Sequence, residues 1–513
     1  MQITLSHIAY YYEGAAEQAL SSVTATFPEG WTGIVGGNGC GKTTLLRLVC
    51  GELEPTAGQI APASGGVYCP QETERMPDAA EDFALDFSGD ALRWRRVLGI
   101  GDDWAWRYGE LSEGQRKRLQ VAVALWADPR VLALDEPTNH VDAECRGRLI
   151  EALRGFKGVG LLVSHDREML DALVGQCLFL GGGRAVMRPG TYSKAREQEQ
   201  LERTATLRER KSAKAELTRL QRVKAARDQE AARADARRSK RAIAKGDTDA
   251  KSRIDLAIYS GQDGKAGQRS VQVDARIGSA QKRLEQSRVS KVYDADVWLD
   301  ARPSHRRVLL ELDAGHLAFG TGERMADILD APGEGPSDAC LRIPHLAVAP
   351  TDHIALTGPN GAGKSTLVAA LVRALPPDVP LLYLPQELAS DERRGQLAAL
   401  RDLPQAQRGQ VLSIVAQLNS DPDRLLSGDL ASPGETRKLM LALGILARPQ
   451  VIVMDEPTNH LDLISTEALE AMLASCPCAL VLVSHDRRFL SATTTIRWRI
   501  ALSGQGSSLM VEK

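Results

Sequence analysis

The strongest constraint on this chain is an internal repeat, which fixes the domain plan before any single residue is interpreted. Gly36-Gly37-Asn38-Gly39-Cys40-Gly41-Lys42-Thr43 returns as Gly358-Pro359-Asn360-Gly361-Ala362-Gly363-Lys364-Ser365. Asp135-Glu136-Pro137-Thr138-Asn139-His140 returns as Asp455-Glu456-Pro457-Thr458-Asn459-His460, and Ser164-His165-Asp166-Arg167 as Ser484-His485-Asp486-Arg487. The three pairs keep their spacing to within two residues, so one domain occurs twice.

Short apolar runs precede the motifs in each copy. Trp31 to Val35 and His353 to Thr357 lead into the glycine loops. Val131 to Leu134 and Val451 to Met454 lead into Asp-Glu, and Leu161 to Val163 and Leu480 to Val483 into Ser-His-Asp. Continuous apolar strands alternating with helical stretches predict a parallel sheet covered on both faces. Ligands bind such sheets at the carboxyl ends of the strands, which is where every motif lies.

Composition shifts between the copies. Residues 194–294 hold 26 Lys+Arg against 15 Asp+Glu, whereas the whole chain has 64 against 66. A basic middle therefore separates two acidic domains. Lys194 to Arg241 has no proline, glycine or aromatic residue and is rich in strong helix formers. A helix of that length would extend roughly 70 Å. Gly246, Gly261, Gly264 and Gly267 then punctuate a tip at about 244–268, and Arg269 to Lys291 reads as the returning helix. The expected division is 1–193, a linker 194–292, and 293–513. Met1 to Tyr12 lacks the regions of a signal peptide. The longest apolar runs fall far short of the ~20 residues a bilayer requires, so a soluble, cytoplasmic protein is expected. The eight cysteines include no Cys-x-x-Cys pair and read as reduced thiols.

Each motif carries a definite chemistry. Glycine lets backbone N–H groups curl around phosphate oxygens without a Cβ in the way. That assigns Gly36, Asn38, Gly39 and Gly41, with Gly358, Asn360, Gly361 and Gly363, to a phosphate cradle. Lys42 and Lys364 would reach the β- and γ-phosphates, Thr43 and Ser365 would offer hydroxyls to Mg²⁺, and Thr44 and Thr366 complete the loops. Asp135 and Asp455 end buried strands, where holding Mg²⁺ would offset the cost of a buried carboxylate. Glu136 and Glu456 would polarise the attacking water, because phosphoryl transfer depends mainly on positioning and charge stabilisation. His165 and His485 are candidates for the γ-phosphate. Gln71 and Gln386, each following Pro, are candidates for Mg²⁺ or the attacking water. Ser112, Gly114 and Gln115, with Ser432, Gly434 and Glu435, read as helix starts that present free N–H groups to an anion.

The order glycine loop, Gln, Ser-x-Gly, Asp-Glu, His resembles that of the ATP-binding cassette superfamily. Two cassettes, a charged linker and a doubled Asp-Glu-Pro-Thr-Asn-His resemble the ABC-F family over essentially the whole chain. The resemblance implies an α/β fold: two P-loop ATP-binding cassettes in tandem, joined by a long α-helical hairpin. It implies ATP hydrolysis, a monomer with its cassettes paired head to tail, and binding at the tRNA exit site of the ribosome. The linker would reach rRNA and P-site tRNA. One ATP would lie between the first loop and Ser432, Gly434 and Glu435, the other between the second loop and Ser112, Gly114 and Gln115. Tyr12 resembles the adenine-stacking aromatic, with Phe319 as its counterpart. The stretches Gln71 to Ser112 and Gln386 to Ser432 are similar in length, so the first cassette lacks a large inserted arm. This and the long linker resemble the antibiotic-resistance, ribosomal-protection branch. Cys40 and Pro433 depart from the usual residues, and Pro433 removes one N–H.

Four functions follow as expectations: ribosome protection against antibiotics, a housekeeping factor that rescues stalled ribosomes, the motor of a membrane exporter, and a chromosome or repair ATPase. The basic arm favours rRNA and tRNA contact. It has no role in an exporter, and repair ATPases usually place a coiled coil inside a cassette.

Overall fold

The computed structural model describes the chain except residues 15–17, 63–64, 140, 182, 239–262, 287–300, 320–327, 330–339, 387–389, 428–431, 504–505 and 513. Residues 1–195 and 292–513 form one compact unit and 196–291 a second.

Strand burial sets the architecture of the first cassette. All five residues of Val131–Asp135 and all five of Val159–Val163 are buried. Leu132 and Leu134 enter one core with the helix Glu113–Trp126, whereas Val131 and Ala133 enter another with the helix Lys42–Cys50. Two covered faces explain why the strand is apolar throughout rather than alternating. The sheet order is Val67–Cys69, Val131–Asp135, Val159–Val163, Gly30–Gly36, Val174–Gly181, Arg184–Pro189. All neighbours are parallel except the last pair.

The second cassette repeats this order with Leu381–Leu384, Val451–Asp455, Ala479–Val483, His353–Thr357, Ile496–Ser503 and Gly506–Glu512. Register is conserved between the copies: Asp135 pairs with Val163 and Asp455 with Val483. Neighbouring strands in register bring Asp-Glu and Ser-His-Asp out side by side, beside the glycine loop. An antiparallel sheet of Leu20–Pro28, Gln2–Tyr10 and Ala57–Ala61 accompanies the first cassette and was not evident from the parallel-sheet pattern.

The second unit is a helical hairpin. The helix Tyr192–Arg238 supplies its outgoing arm and Asp263–Gln286 the returning one. Lys224 Nζ pairs with Asp274 at 2.6 Å and Arg283 with Glu216 at 3.7 Å, which fixes an antiparallel register. Ala213, Val273 and Ala280 are buried in this otherwise charged unit. The returning helix starts before the expected Arg269 and takes in Gly264 and Gly267, so these glycines lie inside a helix rather than at a tip. Glycine costs a helix only about 1 kcal/mol, and tertiary context overrides that routinely. Residues 244–262 of the expected tip lie outside the described residues.

Candidate active sites

The glycine loops are built by left-handed backbone. Gly41 (φ 93°) and Gly363 (φ 96°) begin the helices Lys42–Cys50 and Lys364–Ala374. A Cβ on Gly41 would lie 2.5 Å from the Ala19 carbonyl oxygen. Gly41→Ala is therefore expected to cost at least about 1–2 kcal/mol from the dihedral alone. Chemical denaturation reads this loss; an unchanged unfolding free energy would refute the tight fit.

Lys42 Nζ donates to the carbonyls of Gly36 (2.8 Å) and Gly37 (3.1 Å), and Lys364 Nζ to those of Gly358 (2.9 Å) and Pro359 (3.0 Å). Each ammonium is folded back on its own loop, at the centre of the cradle. Thr43 Oγ1 donates to Asp135 Oδ2 at 2.6 Å, and Ser365 Oγ to Asp455 Oδ2 at 3.0 Å. Burial raises both aspartates above the usual range, and the hydroxyl bonds oppose the shift.

Glu136 and Glu456 are buried, and both adopt a left-handed backbone with φ 48°. Such a conformation costs a non-glycine residue of order 1–3 kcal/mol and persists only where its surroundings hold it. Here the Glu136 N–H donates to Val163 O at 2.9 Å and the Glu456 N–H to Val483 O at 2.8 Å. Burial pushes the Glu136 carboxyl up to about 7 and that of Glu456 up to about 8. His165 N–H donates to Glu136 Oε2 at 3.0 Å. In each glutamate Oε1 is buried without a hydrogen-bond partner among the described residues. A buried acceptor in that condition calls for a ligand or water.

The histidines complete each pair. His165 Nε2 lies 3.1 Å from Glu136 Oε1, and His485 Nε2 lies 3.5 Å from Glu456 Oε1 and 3.1 Å from Asn360 Oδ1. Burial, then the neighbouring loop lysine, pushes the imidazoles down to about 3 and about 4. Both are neutral at physiological pH.

Ser112 and Ser432 cap the helices Glu113–Trp126 and Pro433–Leu446, each in a full capping box with Gln115 or Glu435. Pro433 sits in the first turn, where the lost N–H had no intrahelical partner. A cavity of about 770 Å³ brings Lys364, Ser365, Gln386, Asp455, Glu456 and His485 against Ser112, Gly114 and Gln115 of the other cassette. That volume suits a cofactor-sized ligand. The first loop meets the second cassette directly. Asn38 donates to His460 O at 3.1 Å and to Asp462 Oδ2 at 3.4 Å, and a Cβ on Gly434 would lie 3.6 Å from Asn38 Nδ2.

Tyr12 OH lies 3.0 Å from Thr44 Oγ1, beside the first loop. Phe319 lines the cavity and abuts Gly363. Two buried cations at one shared position of the capped helices are not evident in the sequence. Lys117 donates to the carbonyls of Pro70 (2.8 Å) and Gln71 (3.0 Å). Arg437, at the same position of the other capped helix, donates to the carbonyls of Pro385 (2.9 Å), Gln386 and Glu456. Each ties its glutamine loop to the capped helix. In sequence both lie in ordinary basic helix openings; only their equal distance from Ser112 and Ser432 signals a common role.

Comparison with known proteins agrees with this geometry. The ABC transporter family model matches residues 20–139 and 341–459. The tylosin resistance ATP-binding protein TlrC of Streptomyces fradiae is 30% identical, over 96% of this chain and 96% of that protein. The ribosome protection protein VmlR of Bacillus subtilis (strain 168) is 27% identical, over 98% of this chain and 87% of its own. Among solved structures, an RNase-L inhibitor superposes with a TM-score of 0.62 at 16% identity, covering 98% of this chain and 90% of that one, a likeness of fold. No helix among the described residues is long and apolar enough to cross a membrane. With the cassette model matched twice and a relative 30% identical over 96% of both chains, the chain belongs to the ABC-F family of ATP-binding cassette proteins, and it binds and hydrolyses ATP.

Proposed function

We propose that this ATPase works in the cytoplasm on the ribosome, where it protects translation from antibiotics acting near the peptidyl-transferase centre. The observation that carries this reading is the basic helical hairpin inserted between two intact cassettes. Phosphate-rich RNA is the natural partner of such a surface. The similarity to a tylosin resistance protein and a ribosome protection protein supports drug protection over housekeeping rescue.

In this reading ATP binds at both composite sites. Lys42 and Lys364 turn from their loop carbonyls to the phosphates. Glu136 and Glu456 direct their buried Oε1 atoms, each beside its histidine, at the attacking water. The neutral His165 and His485 hold the γ-phosphate side. Gln71 and Gln386 sit where the loop can sense it. Thr43 with Asp135, and Ser365 with Asp455, are paired hard-oxygen donors that fit Mg²⁺. Gln71 and Gln386 are further candidate ligands. When bound, Mg²⁺ neutralises phosphate charge. ATP binding then draws the cassettes together and moves the hairpin against P-site tRNA and rRNA.

Expression in a drug-sensitive bacterium is the direct test. Tolerance to drugs of the peptidyl-transferase centre should rise, and the ATP-loaded protein should pellet with ribosomes. Co-sedimentation should weaken steeply with salt. With six or more phosphate contacts, affinity falls about 10³-fold or more between about 50 and 200 mM. A flat salt response would remove the nucleic-acid surface from the account. Ribosome binding without any change in drug tolerance would favour the housekeeping role.

A further inference from the structure

The two active sites are not built alike, and one of the differences is an arginine that reaches across the interface. Arg146 belongs to the first cassette, on the helix Ala143–Arg154 capped by Asp142. Its side chain is buried, yet one of its hydrogen bonds leaves the cassette. Nη1 donates to the carbonyl oxygen of His485 at 3.2 Å. The charge is balanced at home by Asp166 (3.3 Å) and Glu168 (3.0 Å). Asp166 is itself pinned, accepting from the Met169 N–H at 3.0 Å while its own N–H donates to Ser164 Oγ at 3.0 Å. Arg146 is thus anchored in one cassette and grips the histidine loop of the other.

The partner position lacks this grip. Arg146 stands four residues after the helix cap Asp142, and Thr466 stands four after the cap Asp462. Thr466 Oγ1 is buried with no hydrogen-bond partner among the described residues. Thr466 therefore does not do for His165 what Arg146 does for His485. A second arginine reinforces the same side: Arg167 of the first cassette pairs with Glu470 at 2.6 Å and Asp486 at 3.3 Å.

We propose that Arg146 is a positioning residue that acts in trans, holding His485 in register at the second cassette's ATP site only while the cassettes are closed. It rests on the reading of His485 as the γ-phosphate histidine. Opening of the interface removes the arginine and frees the His485 backbone, a loss added to that of the opposing Ser112 helix. The first site has no equivalent clamp from Thr466; the contacts of His165 are with Glu136 of its own cassette. The two ATP molecules are then not interchangeable: both composite sites need closure, but only at the second does an arginine of the other cassette also hold the histidine loop.

The test uses the purified full chain and single-turnover cleavage of pre-bound ATP, with one site silenced at a time. In a Glu136→Gln background only the second site cleaves. There Arg146→Met is expected to slow cleavage by about 10- to 100-fold, the scale of an angstrom-sized misplacement. ATP affinity, read separately by filter binding, should change far less, and Arg146→Lys should recover part of the rate. In a Glu456→Gln background, where only the first site cleaves, Arg146→Met should have little effect, which also shows that the variant folds. Equal losses in both backgrounds, no loss in either, or no cleavage at all by the Glu136→Gln chain would overturn the inference. His485→Ala in the Glu136→Gln background separates the two levels. If it leaves cleavage intact, the assignment of His485 has failed; if it abolishes cleavage while Arg146→Met does not, the positioning role alone has failed.

Discussion

Replacing Glu136 and Glu456 together by glutamine is expected to lower ATP turnover by about 10²- to 10⁴-fold, the usual worth of a positioned base, while ATP binding survives. The substitution is close to isosteric, and the left-handed backbone at both positions is held by main-chain bonds to Val163 and Val483 that any side chain would leave in place. Burial favours the outcome further. The folded-state carboxyls are raised to about 7 and about 8 from an ordinary 4.5. An acid with a raised folded pKa destabilises the fold increasingly as pH climbs from the unfolded value to the folded one. The neutral amide escapes that cost, so the double variant should melt no lower than the parent at pH 8. Phosphate release, nucleotide binding and thermal melting read the three parts. Bound to ATP and unable to cleave it, the variant should accumulate on ribosomes. A variant that hydrolyses normally would dismiss both glutamates as bases, and one that binds ATP yet never pellets with ribosomes would remove the ribosomal partner.

Shortening the hairpin should separate the ATPase from its biological effect. Lys224 and Asp274 face each other across the two arms. Excising 225–273 and joining these residues by a short Gly-Ser turn keeps the Glu216–Arg283 pair below the cut. ATP turnover in the absence of ribosomes should stay within about twofold, because the catalytic groups lie outside the excised segment. Drug tolerance in the expressing strain should fall to that of a strain without the protein. Tolerance that survives the excision would sink the arm as the effector. Loss of turnover would instead show that the hairpin shapes the cassettes themselves.

The cassettes and their loops were legible because the constraints are local and occur twice. Buried parallel strands need apolar residues on both faces, and a phosphate loop needs glycine, so residues such as Val131 to Leu134 and Gly41 announce themselves. The capped helices at Ser112 and Ser432 were readable for the same reason, since a capping box is a four-residue pattern. The cross-cassette contacts were not. Arg146 in Ala-Glu-Cys-Arg-Gly-Arg looks like one charge of a solvated helix, and its partner His485 lies in the other half of the chain. Lys117 sits within Arg116-Lys117-Arg118 and nothing local singles out the buried member. The start of the returning helix is not legible because Gly264 and Gly267 read as breaks by propensity, yet the helix runs through both. The antiparallel sheet at the N-terminus carries no motif and shows only in the pairing of Gln2–Tyr10 with the next strand, Leu20–Pro28, and with the more distant Ala57–Ala61.

The antiparallel pairing of the hairpin also makes it a ruler. Because Lys224 meets Asp274 and Glu216 meets Arg283, residues lost from one arm must be matched by a like number from the other, or the cross-pairs beyond the cut shift. Within that rule its length is freely adjustable. Removing seven residues from each arm shortens it by about 10 Å, and the excised turns take no part in the nucleotide chemistry. Chains of this design can be cut to different lengths by paired deletions alone, with both cassettes left untouched.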